Sequence, residues 1–417
     1  MYKYLYLCLF AAFTAFTVAG CRQMENGAEA LTEADWRGDT ISVTRLATLD
    51  STQLKQKLLG VSQTLGFVET NYGIDVYKII YRTIDPFGNP TQASGLCVIP
   101  TNNPKMQGIA SYQHGTILRK QDAPSRPDNA QESLVGYILA SNLGITVSMP
   151  DYLGLGDSPG MHPYVHAKTE ASASIDMLRA TKKHLAKKGK KVNDQLFLFG
   201  YSQGGHATMA MHRELEANYK NEFKVTASAP MAGPYDVSGT QTKVLVSPNP
   251  YPAPNYLPYI TLAYNYVYKL YGSPDEFLQA PYNTTIPPLL LGNNGGGDID
   301  DAMGGTGIAP NHIFRPEVLA AFRTDSVKHK LRVALKDNDV YDWKPVAPIM
   351  FCHCNGDDHV SPQNTTVAQN TFLIKYKVPA SNLRRVIPDL NATPIRHTDC
   401  ALPCLLQGFG FINEFVQ

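Results

Sequence analysis

Between residues 108 and 229 short apolar runs alternate with longer segments of helical period. Gly108–Gln113, Ile145–Met149, Gln195–Phe199 and Lys224–Ala229 are short, apolar and bounded by turn formers, which predicts strands. Glu132–Leu143, Lys168–Lys188 and Gly204–Tyr219 lie between them and predict helices. In the Lys168 helix, Ala171, Ile175, Leu178 and Leu185 share one face, and Lys187-Lys188-Gly189 closes it. Strand and helix in strict alternation predict a mostly parallel sheet covered by helices on both faces. Upstream, Val76–Ile84 and Ala93–Ile99 are β-rich, and Pro86, Gly88, Asn89 and Pro90 between them predict a hairpin. A polar segment and a helix-like stretch near Leu54–Leu65 precede it.

The alternation stops between about Gly239 and Pro345, where Pro, Tyr, Gly and Asn take over. This predicts an insertion over the sheet. Its Tyr251, Tyr256, Tyr259, Tyr264, Tyr266, Tyr268 and Tyr271 are suited to lining a pocket or to packing against the main domain. Gly295–Asp301 is rich in oxygen ligands but lacks the spacing of a calcium loop, so a flexible loop is expected. The alternation resumes with strand Ala347–Cys352, a helix around Thr366–Tyr376, a strand near Leu383–Ile387 and a final helix Leu405–Phe415. The expected organisation is an export signal over 1–20, an N-terminal segment over 21–70, a core over 71–239 and 346–417, and a cap or lid over 240–345.

Composition narrows the function. The chain has 417 residues, 43% hydrophobic and 18% charged, enough for one large core plus an insertion. Removing residues 1–20, which hold one Lys and no acid, leaves 36 basic against 36 acidic residues, so no charge excess favours nucleic acid. Lys3 followed by an apolar run to Val18 reads as an export signal too short for a membrane span. Val18-Ala19-Gly20-Cys21 resembles a bacterial lipobox, which predicts a lipid anchor at Cys21 facing the periplasm or cell surface. Five further cysteines, Cys97, Cys352, Cys354, Cys400 and Cys404, leave an odd thiol.

The chemistry starts at Gly200-Tyr201-Ser202-Gln203-Gly204, a G-x-S-x-G elbow between a strand and a helix. A serine hydroxyl needs a base to take its proton and a third group to orient that base. Downstream of Ser202, His206 and His212 lie on the elbow's own helix, and His312 and His329 fall in the insertion. Of His353, His359 and His397, only His397 follows the last strand, which makes it the expected base. The acid is expected after strand Ala347–Cys352: Asp357, with Val360 three residues on, is preferred over Asp358. Oxyanion donors are expected from the backbone N–H of Gln203 and, in the loop Gln113-His114-Gly115-Thr116, of Thr116, with His114 bracing that loop. The acid and base loops must meet, so at least one disulfide is expected between the Cys352/Cys354 and Cys400/Cys404 pairs. The rival reading of these residues with His353 and His359 is a zinc site, which export and a complete serine triad oppose.

These motifs, with Pro150–Gly156 and Asp176-Met177-Leu178-Arg179-Ala180, resemble the secretory-lipase family of α/β-hydrolases from about Val76 to the C-terminus. The resemblance implies a serine esterase or lipase acting on carboxylic esters, small or lipid, without metal or organic cofactor. Asp151, Tyr152, Gly154, Gly156 and Arg179 carry it structurally. The alternatives are an exopeptidase of the same fold, using cap acids among Asp275, Glu276, Asp298, Asp300 and Asp301 to capture an amine, and a non-catalytic binding lipoprotein.

Overall fold

The structure is a computed structural model, and it describes residues 36–60, 69–104, 108–324 and 328–417. The expected export signal, Cys21 and part of the Leu54–Leu65 stretch lie outside those residues. Nine strands form one sheet: β1 (Thr40–Leu49), β2 (Gly73–Ile84), β3 (Pro90–Thr101), β4 (Ile109–Gln113), β5 (Thr146–Pro150), β6 (Leu196–Tyr201), β7 (Val225–Met231), β8 (Ile349–Cys352) and β9 (Leu383–Val386). Their order across the sheet is β1-β2-β3-β5-β4-β6-β7-β8-β9. β1, β2, β3 and β5 pair antiparallel, and every pair from β5 to β9 is parallel. This is the mixed sheet of an α/β-hydrolase, with the expected hairpin feeding a parallel set.

Both faces of the parallel strands are buried, which explains why they read as continuous apolar runs. On β6, Phe197 and Phe199 pack on one face with Tyr137, Phe411 and Ile412. Leu196 and Leu198 pack on the other with Ile175, Leu178, Met211 and Leu215. The first face is covered by α1 (Ser133–Leu143) and the last helix, the second by α2 (Ala167–Lys187) and α3 (Gln203–Asn218). The N-terminal residues are tied in by a buried charge cluster. Asp176 accepts from Arg37 at 3.0 Å, Arg179 at 2.7 Å and Thr83 at 2.7 Å.

The residues between β7 and β8 form short helices and α4 (Tyr256–Tyr268), with a core of their own that includes Tyr259, Tyr264, Phe277, Ile313 and Phe322. Three elements depart from the sequence reading. β1 lies where the sequence predicts a polar segment; it is an edge strand, with Ile41 and Leu46 exposed. Gly296–Met303 is a helix rather than a loop, because the Asp298 carboxylate accepts the Gly295 N–H at 2.7 Å and Ile299 and Met303 are buried one turn apart. The last helix, α5 (His397–Asn413), starts eight residues before its expected start at Leu405, despite Pro403 within it. Pro403 removes one helical hydrogen bond, but Cys400 and Cys404 on either side of it are both disulfide-bonded to the β8 end.

Candidate active site

β6 delivers the chain to Ser202 at φ 61° and ψ −123°, a conformation an L-residue adopts only under constraint. The constraint is close packing. A Cβ at Gly204 would lie 2.0 Å from the Gln113 carbonyl oxygen, and one at Gly200 2.4 Å from the same atom. The Ser202 N–H donates to the Met231 carbonyl at 2.9 Å, pinning the elbow to β7. The serine side chain does not cap α3, so its hydroxyl is free to face the base.

His397, the first residue of α5, places Nε2 at 2.8 Å from Ser202 Oγ and Nδ1 at 2.6 Å from Asp357 Oδ2. Tyr201 donates its hydroxyl to the His397 carbonyl at 2.7 Å, joining elbow and base loop. Asp357 Oδ1 accepts the backbone N–H groups of His359 at 3.0 Å and Val360 at 2.7 Å. Burial pushes the Asp357 carboxyl up, but donation from His353 and His397, with their charge, outweighs it and holds the group well below the usual carboxylate range. Asp358 sits elsewhere: its Oδ1 accepts the His397 N–H at 3.2 Å, an N-terminal contact on α5. The structure therefore brings Ser202, His397 and Asp357 into one line and sets Asp358 beside it.

Thr116 lies across the site, its hydroxyl 2.8 Å from Tyr164 Oη. Its loop is braced as expected by His114, whose ring nitrogens meet Gly115 O at 2.7 Å and Asp151 O at 3.2 Å. Asp151 in turn accepts from Ser94 at 2.6 Å and from the Ser125 N–H at 2.9 Å. Gly156 leaves room for that carboxylate, since a Cβ there would lie 2.2 Å from Asp151 Oδ2. Gln203 has its side chain held below the elbow, where its amide donates to Glu170 at 2.9 Å and contacts His162 Nε2 at 2.8 Å. Glu170 also pairs with His206 at 2.6 Å.

Several participants were not singled out from sequence. Glu132 accepts from Tyr112 and from the Gly115 N–H at 3.3 Å. Asp389 accepts the N–H groups of Asn355 at 2.7 Å, Gly356 at 2.9 Å and Ile395 at 2.9 Å, binding the acid loop to the base loop. A lone acid in a loop gives no periodic signal; only its position between the Asp357 and His397 segments could have suggested it. Two disulfides make the same connection covalently, Cys352–Cys404 and Cys354–Cys400, while Cys97 is a buried free thiol. With those four sulfurs bonded to one another, they offer no thiolates for zinc.

Two spaces adjoin the elbow and share Tyr256 as a wall. Tyr164, Val237, Leu245, Tyr256 and Ile260 are among the residues around a narrow apolar cavity of about 60 Å³ that also touches Ser202 and Gln203. A wider groove of about 730 Å³ runs past Thr116, Glu132, Asn255, Asp300 and His359, with Leu402 and Leu405 along one wall. Of the insertion tyrosines, Tyr251 and Tyr256 thus line the pocket. Tyr259 and Tyr264 pack inside, donating to Ile117 O at 3.2 Å and Val165 O at 2.9 Å.

The secretory-lipase family model matches residues 130–244, the stretch from α1 through the elbow into the insertion. A protein of Legionella pneumophila provisionally assigned as a hydrolase is 30% identical, with a TM-score of 0.79 over 90% of this chain and 98% of its own. The rice cell wall degrading esterase LipA from Xanthomonas oryzae is 26% identical, with a TM-score of 0.76 over 91% of this chain and 97% of its own. Candida antarctica lipase A in its closed state, at 14% identity and a TM-score of 0.64, shares the fold. No curated protein sequence matches the chain. The elbow, the sheet order and these likenesses agree, and the chain belongs to the secretory-lipase family of α/β-hydrolases.

Proposed function

We propose that the chain is a serine esterase that cleaves carboxylic esters through an acyl-enzyme. The observation that carries this reading is the line Asp357 Oδ2–His397 Nδ1 at 2.6 Å and His397 Nε2–Ser202 Oγ at 2.8 Å. Ser202 Oγ attacks the ester carbonyl carbon while its proton passes to His397 Nε2, and ionised Asp357 stabilises the imidazolium that forms. The backbone N–H groups of Gln203 and Thr116 are assigned to the oxyanion. His397 then gives its proton to the departing alcohol oxygen, leaving the acyl group on Ser202, and a water activated by the same imidazole releases the acid. The narrow apolar cavity suits the acyl chain, and the groove suits the alcohol portion.

The exopeptidase alternative needs acids converging on an amine. Of the five acids in question Asp300 lines the groove, its Oδ1 accepting from Asn255 at 2.7 Å. Asp298 caps its own helix, Glu276 accepts the Gly272 N–H at 2.8 Å, Asp275 is bonded to Asn283, and Asp301 is exposed. That dispersal favours the ester reading. Export and an anchor at Cys21 belong to the same proposal; among the described residues no helix is long and apolar enough to cross a membrane.

The test uses a fluorophosphonate probe and a panel of p-nitrophenyl esters against aminoacyl anilides. The expected result is labelling of the wild type and not of Ser202→Ala, with turnover of esters only. His397→Ala should lose turnover to a similar extent, about 10⁴–10⁶ in kcat. Labelling that survives Ser202→Ala, or faster cleavage of the anilides, would overturn the assignment.

A further inference from the structure

The sequence favours His397 over His353 as the base, yet the fold places His353 against the same carboxylate as His397. It follows β8, is fully buried, and pairs its backbone N–H with Val386 O at 3.1 Å. Its Nε2 lies 3.0 Å from Val360 O and 3.1 Å from Asp357 Oδ2, and its Nδ1 lies 2.8 Å from Thr365 Oγ1. A carbonyl oxygen only accepts, so Nε2 carries a proton and donates to both oxygens. Asp357 Oδ2 therefore accepts from two imidazoles on different elements, while Oδ1 takes the two backbone N–H groups of its own turn.

We propose that His353 is a positioning residue for ester hydrolysis, holding Oδ2 of Asp357 in line with His397 through the catalytic cycle. The inference rests on Asp357 being the triad acid. Its physical basis is that a carboxylate can turn about its Cβ–Cγ bond, and Oδ1 is bonded only to backbone N–H groups of its own short turn. Oδ2 has two side-chain partners, and one of them, His397, gains and loses its other proton in each half-reaction. The second donor keeps Oδ2 facing His397 whatever the imidazole's state. The ring of His353 is fixed from behind by Thr365, in the first turn of the helix Gln363–Asn370. It is fixed along the chain by its neighbours Cys352 and Cys354, both bonded to the first two turns of α5. The two histidines sharing Oδ2 are thus mounted on one covalently closed unit. A buried histidine kept only for packing would not need a proton aimed at the acid.

The experiment compares His353→Leu, which has no donor, with His353→Gln, whose terminal amide nitrogen reaches the position of Nε2. His353→Leu is expected to lower kcat about 10- to 100-fold, the order of one hydrogen bond to a charged group, with KM within about twofold. His353→Gln is expected to recover most of that loss. Equal kcat for the two variants, whether both unimpaired or both impaired, overturns the proposal. Should His353→Leu fail to fold, Thr365→Val and Thr365→Ser serve instead: the valine is expected to lower kcat several-fold and the serine to restore it, and an unaltered kcat in Thr365→Val counts against the proposal. Asp357→Asn in the same series separates the two readings. If that variant keeps wild-type kcat, the acid assignment fails and this inference falls with it; if it is inactive, the His353 outcome stands by itself.

Discussion

At the scale of single residues, two adjacent acids with the same side chain have different work to do. Asp357 is buried and bonds to the imidazole, whereas Asp358 is partly exposed and reaches the His397 backbone N–H. Asp357→Asn should cost about 10⁴ in kcat, because the imidazole loses the partner that fixes its useful tautomer. Asp358→Asn should cost far less, and the reverse ranking in steady-state kinetics would move the role. A second residue-scale effect concerns acid stability. Burial lowers His162 and His166 to about 4 each, against about 6.5 in the unfolded chain. A lowered histidine contributes stability that is present above the unfolded value and is lost as pH falls through the folded one. Melting temperature should therefore fall between about pH 6.5 and 4, with His162 accounting for about 3 kcal/mol at the acid end. His162→Asn keeps a donor for the Leu153 carbonyl, which His162 Nδ1 meets at 2.7 Å, but cannot take a proton. Its melting curve should depend less steeply on pH, and an unchanged slope would dismiss this account.

At the scale of elements, the loops carrying Asp357 and His397 are joined by four links: two disulfides, Asp389 and the Asp358 contact to α5. The bonded cysteines are 52 and 46 residues apart, and either crosslink alone closes a loop worth about 4 kcal/mol in chain entropy. The loops overlap, so the second adds less than the first. Reduction should lower the melting temperature and esterase activity together, and peptide mapping without reductant should recover the 352–404 and 400–354 crosslinks. Full activity and unchanged melting after complete reduction would show the clamp to be dispensable. The sequence made much of this legible. Strands such as Gln195–Phe199 announced themselves because both faces are buried, and the elbow because its glycines sit where neighbouring backbone comes within 2.0–2.4 Å. What escaped was set by long-range partners. β1 is an edge strand recognisable only by its pairing with β2. The early start of α5 depends on sulfur bonds that override Pro403. Glu132, Asp389 and the second partner of Asp357 make polar contacts within turns and irregular loops, and no periodicity encodes those.

At the scale of the whole molecule, the insertion and the sheet together enclose a narrow space beside Ser202, proposed for the acyl chain, and a wider groove, proposed for the alcohol portion. A cavity of about 150 Å³ holds one benzene, so the 60 Å³ space takes a chain of about two to three carbons. Turnover of p-nitrophenyl esters should peak with short acyl chains and fall steeply beyond them. Leu245→Ala or Ile260→Ala, which open that cavity, should move the optimum to longer chains. A preference for long chains in the wild type would mean the acyl group lies elsewhere.

The wide separation of the reacting groups along the chain has a further consequence. Ser202 and the imidazole it needs are 195 residues apart, with the whole insertion between them. During synthesis Ser202 emerges before Asp357 and His397, the proposed acid and base. A molecule cut short before His397, or clipped there by a protease, keeps the residues of a well-formed elbow and has nothing to deprotonate its serine. On this proposal labelling by a fluorophosphonate counts molecules that carry the His397 segment: in any preparation, labelled protein divided by total protein measures the share whose chain extends past His397 and has closed.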